Sequence, residues 1–109
     1  MDRSELEIRP EELKARLDAG DSPVLVDVRW AQEFEICSLP GSKLLPLDQL
    51  AANLDELDPA DEIVLICHHG IRSLDAAFFL RSNGFPRAKS LAGGLDHWSL
   101  AIDRSVPRY

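Results

Sequence analysis

One stretch gathers the residue types that can do chemistry: Ile63-Val64-Leu65-Ile66-Cys67-His68-His69-Gly70-Ile71-Arg72-Ser73. Four consecutive aliphatic residues read as a buried strand, and a cysteine stands where that strand stops. A loop containing glycine follows, and the pattern then predicts a helix from about Ser73 to Asn83. A thiol in that place faces backbone N–H groups and a helix start, both of which stabilise negative charge. Since the thiolate is the nucleophilic form of cysteine, Cys67 is a candidate nucleophile. Arg72 adds a planar fork suited to oxyanions, at a helix start where a cation is otherwise mildly disfavoured. Gly70 supplies a backbone conformation closed to other residues. Ser73 is suited to cap the helix, to donate to the sulfur, or to do both. His68 and His69 add donors or partial positive charge. Each has a bland alternative: a small buried cysteine at a strand end, solvated loop histidines, a surface arginine.

The rest of the chain must position this stretch. Leu6-Glu7-Ile8 alternates like a short strand, and Pro10 opens a helix of about Pro10 to Ala19, with Leu13 and Leu17 facing inward and Gly20 as its stop. Val24 to Val28 is apolar on both faces apart from Asp27, as a central parallel strand is, and Asp27 and Arg29 bracket its end as a structural brace. Ala31 to Ile36 forms a short helical turn before Pro40-Gly41. Lys43 to Leu47 reads as a short strand, and Asp48 as the cap of a helix whose apolar stripe is Leu50, Leu54 and Leu57. The helix after Ser73 carries Ala76, Ala77, Phe78, Phe79 and Leu80 and reads as apolar around most of its girth. Arg87 to Leu91 reads as a last strand, and a short helix from Leu95 to Leu100 follows the Gly93-Gly94 turn. Strands alternating with helices imply an α/β domain with a mainly parallel sheet. Ligands of such sheets sit beyond the carboxyl ends of the strands. Asp27-Val28-Arg29, Cys67 and Ala92-Gly93-Gly94 are therefore expected along one rim.

The 109 residues fit one domain, 1–109, and the net charge of −7 argues against nucleic acid or an anionic membrane as the main partner. No apolar run approaches a membrane span, and Met1-Asp2-Arg3-Ser4-Glu5 lacks the apolar core of a secretory signal. Two cysteines, Cys37 and Cys67, are read as free thiols in a reducing cytoplasm, with Cys37 a bystander. Cys67-His68-His69 lacks the spacing of a closed zinc site, and neither metal nor cofactor is expected.

Four segments, in order, carry a resemblance. The loop Cys67-His68-His69-Gly70-Ile71-Arg72-Ser73 resembles the active-site loop of the rhodanese family of sulfurtransferases. Asp27-Val28-Arg29 is similar to that family's first signature and Leu39-Pro40-Gly41-Ser42 to its second. Leu91-Ala92-Gly93-Gly94-Leu95-Asp96-His97-Trp98 matches its Gly-Gly-x-x-x-Trp pattern. Two positions depart: Trp30 stands where an acidic residue is common, and Ser38 where a histidine is. The resemblance implies a three-layer fold with a five-stranded, mostly parallel sheet and helices on both faces. It also implies a cysteine that becomes a persulfide and passes on its outer sulfur. On that footing Cys67 is the expected catalytic residue, and His68, His69, Gly70, Ile71, Arg72 and Ser73 form the substrate-binding loop. Asp27 and Arg29 support it. The expected donor is a small sulfur anion such as thiosulfate, and the acceptor a thiol, cyanide or a thioredoxin-like protein.

Three other functions compete. One is a sulfur relay with protein donor and acceptor and little small-molecule turnover. Another is a binding or regulatory module without turnover, in which a thiol at this place has no use. The last is a phosphatase, whose family loops resemble Cys-x5-Arg. Here Arg72 follows Cys67 with one residue fewer, which tightens the donor ring around a tetrahedral phosphoryl group.

Overall fold

Val24–Asp27 (β2) and Ile63–Ile66 (β4) run side by side in parallel, with Val24 opposite Ile63 and Asp27 opposite Ile66. The structure, a computed structural model, describes residues 2–109; Met1, part of the charged opening stretch, lies outside them. All four residues of β4 are buried, which is why its sequence is a continuous apolar run rather than an alternating one. Glu7–Ile8 (β1), Lys43–Leu44 (β3) and Ala88–Leu91 (β5) complete a five-stranded sheet in the order β1-β5-β4-β2-β3, with every pairing parallel.

Helices cover both faces. Leu13 and Leu17 of Pro10–Asp18 (α2), with Leu95 and Trp98 of Gly94–Ala101 (α6), pack on Leu25, Val64, Ile66 and Leu91. On the other face Leu6 of Arg3–Leu6 (α1), Leu50 of Leu47–Leu50 (α4), and Ala76, Ala77 and Leu80 of Ile71–Ser82 (α5) pack on Val26, Ile63, Leu65 and Cys67. Ala31–Ile36 (α3) follows β2 beyond its carboxyl end. Among the described residues no helix is long and apolar enough to cross a membrane.

Local details depart from the sequence pattern for identifiable reasons. Leu6 ends α1 instead of opening a strand, because the Asp2 carboxylate caps that turn through the Ser4 amide. β3 is only two residues long, Lys43 and Leu44 pairing with Val26 and Asp27, and Pro46 has no N–H to extend it as a regular strand. Pro46, not Asp48, holds the cap position of α4, and non-helical backbone at Asn53 turns the continuation into a 3-10 segment, Ala51–Glu56. Ser73 is likewise not a cap: α5 begins at Ile71 with Gly70 before it. Nor is α5 buried all round, since Phe78 is 54% exposed and only the alanine-rich face meets the sheet.

One buried ion pair ties the sheet end to α3. The Arg29 Nε and Nη2 donate to the Asp27 carboxylate at 2.9 and 2.7 Å, with both side chains wholly buried. Of the remaining guanidinium N–H groups, two donate to the carbonyls of Glu33 and Cys37 at 3.2 and 2.6 Å and one to the Tyr109 hydroxyl at 2.6 Å. Burial opposes the charge, but the Asp27 and Tyr109 contacts more than offset it and hold the guanidinium charged. Asp27→Ala strands that cation and is expected to cost about 3–5 kcal/mol of unfolding free energy. Urea denaturation measures this, and a loss below about 1 kcal/mol would show that the brace is dispensable.

Candidate active site

Cys67 leaves β4 with its side chain 1% exposed, on the face covered by α5. Its Sγ accepts the Gly70 N–H at 3.0 Å and the Ser73 N–H at 3.3 Å. The Ser73 hydroxyl lies 3.2 Å from the same sulfur and 2.7 Å from the Ser90 hydroxyl of β5. Gly70 and Ser73 flank the first turn of α5, so the sulfur takes the place that a capping oxygen holds in other helices. The amides of Ile71 and Arg72, in that same turn, find no acceptor among the described residues. Donors on one side and a helix start behind them form a cradle complementary to negative charge.

The loop keeps this shape because a second helix start grips it from outside. Leu95 N–H and Asp96 N–H of α6 donate to the carbonyls of Cys67 and His68 at 2.9 and 3.0 Å. A Cβ on Gly94 would stand 2.4 Å from both carbonyl oxygens, so only glycine permits the contact. Gly70 has φ of 91°, and a Cβ there would meet Gly93 N at 2.8 Å. The two glycine motifs are thus halves of one contact. Trp98 is core, 6% exposed beneath α6.

The other expected loop residues line the mouth rather than the sulfur. Ile71 is 70% exposed. The His68 ring stacks on His69 at 4.0 Å and on Tyr109 at 4.1 Å. Burial first, then the neighbouring His69, holds His68 below the ordinary imidazole range, which favours its neutral form. Arg72 has its fork occupied: Nη1 and Nη2 donate to the two oxygens of Glu33 at 2.7 and 2.9 Å. Asp27 and Arg29 lie beneath the rim and touch Cys67 nowhere among their hydrogen bonds. Cys37 ends α3 on the opposite side of the sheet, where it borders a groove of about 760 Å³ with Leu39, Trp98, Ile102 and Pro107; Cys67 does not line it. Both thiols are free.

Three residues of the site escaped the sequence reading: Ser90, Glu33 and Tyr109. The Tyr109 hydroxyl donates to Glu33 Oε2 at 2.7 Å and accepts from Arg29 Nη1 at 2.6 Å. The Arg72 hydrogen bonds, partly opposed by burial and aided by Tyr109, hold the Glu33 carboxyl down at about 2. Only Ser90 left a signal, as a hydroxyl in a strand that pairs with the apolar β4, opposite Leu65.

One metal-ligand grouping exists among the described residues: His68, His69 and Asp96 bring ligand atoms within 4.8 Å of one another. The imidazole planes are only 14° apart, so their in-plane lone pairs run side by side instead of converging. Asp96 is also paired with Arg108 at 2.8 Å. These residues do not form a ready chelate.

Comparison with known proteins agrees with this geometry. Residues 9–101 match the family model described as the rhodanese-like domain. A chloroplastic rhodanese-like/PpiC domain-containing protein of Arabidopsis thaliana is 36% identical over 110 residues, covering 94% of this chain and 37% of its own length. A putative sulfur carrier protein, YrkF, of Bacillus subtilis is 34% identical over 93 residues, covering 85% of this chain and 50% of its own. The chain thus spans half or less of these relatives. The human single-domain sulfurtransferase TSTD1 superposes with a TM-score of 0.77 at 28% identity, covering 88% of this chain and 96% of that one.

Tyr109 gives the mouth a spectroscopic reporter, because the sequence holds one tyrosine. Burial first, then the Glu33 carboxylate, raises its phenol to about 12, against an opposing pull from Arg29. The neutral phenol is favoured, so the docking it contributes is whole below pH 10 and is lost as pH rises towards 12. Ultraviolet titration of the folded protein is expected to show a midpoint well above 10.0; a midpoint at 10.0 would mean that Tyr109 does not pack on the loop.

Proposed function

This chain belongs to the rhodanese-like domain family, and on that footing we propose that Cys67 takes up a sulfane sulfur as a persulfide and passes it to a thiophilic acceptor. The family and its sulfurtransferase and sulfur-carrier relatives support sulfur transfer as the general activity. The observation that carries the assignment to Cys67 is the pair of loop amides aimed at its Sγ.

With thiosulfate as donor, the Cys67 thiolate attacks the outer sulfur. The sulfur–sulfur bond of the donor breaks, and sulfite leaves with the electron pair. The product is Cys67–S–S⁻, whose charge the amides of the α5 first turn accept. A thiol, cyanide or a thioredoxin-like protein then attacks the outer sulfur, and the electron pair of the broken bond returns to Sγ. Ser73, braced by Ser90, donates to the Cys67 thiolate before the first step and again after the second. Gly70 shapes the cradle, while His68, His69 and Ile71 form its lip. Asp27 and Arg29 keep α3 against the loop. No cofactor or metal enters either step.

A second reading is a relay between proteins in a cytoplasmic pathway, with little turnover of small molecules. The similarity to a protein named as a putative sulfur carrier favours it. Either reading uses the same persulfide.

Intact-mass measurement after incubation with a sulfane donor tests the proposal. The protein is expected to gain one sulfur atom that a reducing thiol removes. Cys67→Ser is expected to lose all loading with the fold intact, and Cys37→Ser to lose little. Loading that survives in Cys67→Ser would overturn the assignment. So would release of phosphate from aryl phosphates that Cys67→Ser abolishes, since that would make the loop a phosphatase cradle.

A further inference from the structure

Arg72 is the one cation of the loop, and it is not free. Its guanidinium lies against the Glu33 carboxylate in a parallel two-bond pairing. Both side chains are mostly covered, at 31% and 16% exposure. Glu33 is fixed from two further directions, by the Tyr109 hydroxyl at 2.7 Å and by the Trp30 N–H at 3.2 Å. The other arginines at this end of the sheet are matched in the same way, Arg29 by Asp27 and Arg108 by Asp96. The whole chain carries a net charge of −7.

These contacts bear on which sulfur donor the site takes. Thiosulfate brings its transferable sulfur attached to a bulky, doubly charged oxyanion. Cys67 is 1% exposed, so only the outer sulfur can enter the cradle and the oxyanion must stay at the mouth. There it meets a carboxylate, and to reach Arg72 it must break both Arg72–Glu33 hydrogen bonds, while the Tyr109 hydroxyl and the Trp30 N–H hold Glu33 in place. A persulfide carried on a thiol, R–S–SH, presents a slender terminal sulfur and no sulfonate. It has nothing to gain from Arg72 and nothing to lose to Glu33.

We propose that Glu33 is the specificity-determining residue of the site: by closing Arg72 it disfavours doubly charged oxyanion donors and directs Cys67 to persulfides borne on thiols. This rests on the sulfur-transfer reading above. The balanced step is attack of the Cys67 thiolate on the terminal sulfur. The S–SH bond breaks, RS⁻ leaves with the electron pair, and Cys67–S–SH remains. Glu33 touches Arg72 rather than the reacting atoms, so it is a positioning residue.

The test measures loading of Cys67 by intact mass, with thiosulfate and with the persulfide of 2-mercaptoethanol as separate donors. Glu33→Gln keeps the side-chain shape and removes the charge. It is expected to raise kcat/KM for thiosulfate by about tenfold, the gain lying in KM, and to change the value for the persulfide by less than about twofold. Adding Arg72→Ala to Glu33→Gln is expected to erase the gain, because the freed guanidinium is its source. An unchanged or lower thiosulfate value in Glu33→Gln, with persulfide loading intact, overturns the inference and leaves the sulfur-transfer reading standing. Failure of the unmodified protein to load from either donor overturns both. A measurement on the unmodified protein covers the case of a misfolded variant: sulfate, an inert doubly charged oxyanion, is expected to leave the Arg72 side-chain N–H resonance unmoved. A saturable shift there would overturn the inference.

Discussion

A helix start needs acceptors for its first N–H groups, and at the head of α5 the acceptor is a sulfur atom. Gly70 and Ser73 donate to Cys67 Sγ at 3.0 and 3.3 Å, where a serine or aspartate oxygen would ordinarily stand. The contact that finishes the helix is therefore also the contact that suits the sulfur to negative charge. It constrains what surrounds it. β4 must stop at Ile66 for Cys67 to turn towards the helix, Gly70 must take a positive φ, and Ser73 must sit three residues into α5. The grip of α6 on the Cys67 and His68 carbonyls then sets the loop between two helix starts. Their positive ends converge on one short segment, which is how an acidic protein makes a local anion site without a free cation.

The mouth follows a different logic from the cradle. Three arginines lie at or beneath it, and each is paired with a carboxylate. Charge there is used to hold parts together: Arg29 ties β2 to α3, Arg72 ties α5 to α3, and Arg108 ties the segment after α6 back to α6. Tyr109 joins two of these pairs through a single hydroxyl and lays its ring on His68. On the proposed reading, selectivity at the mouth belongs to this network, while the sulfur on Cys67 is held chiefly by backbone amides.

Much of this was legible in the sequence because it depends on short-range signals. The apolar run before Cys67, the glycines at 70, 93 and 94, and the Asp27–Arg29 spacing each specify a local conformation, and the parallel sheet brings their ends to one rim. Glu33 and Tyr109 were not legible. They stand 39 and 76 residues from their partners Arg72 and Glu33, in segments whose patterns give no reason to look there. The Ser73 assignment shows the same limit at short range. A serine near a helix start suggests a cap, but the cap was already supplied by a sulfur arriving from the strand before it.

The central claim is that the cradle around Cys67 is built to hold one additional sulfur. A crystal structure of the protein after sulfur loading tests it most directly. The account predicts a second sulfur bonded to Cys67 Sγ, turned towards the amides of Ile71 and Arg72 in the first turn of α5, with Glu33 still on Arg72. A second sulfur on Cys37, or one on Cys67 that points away from the loop amides, would contradict it.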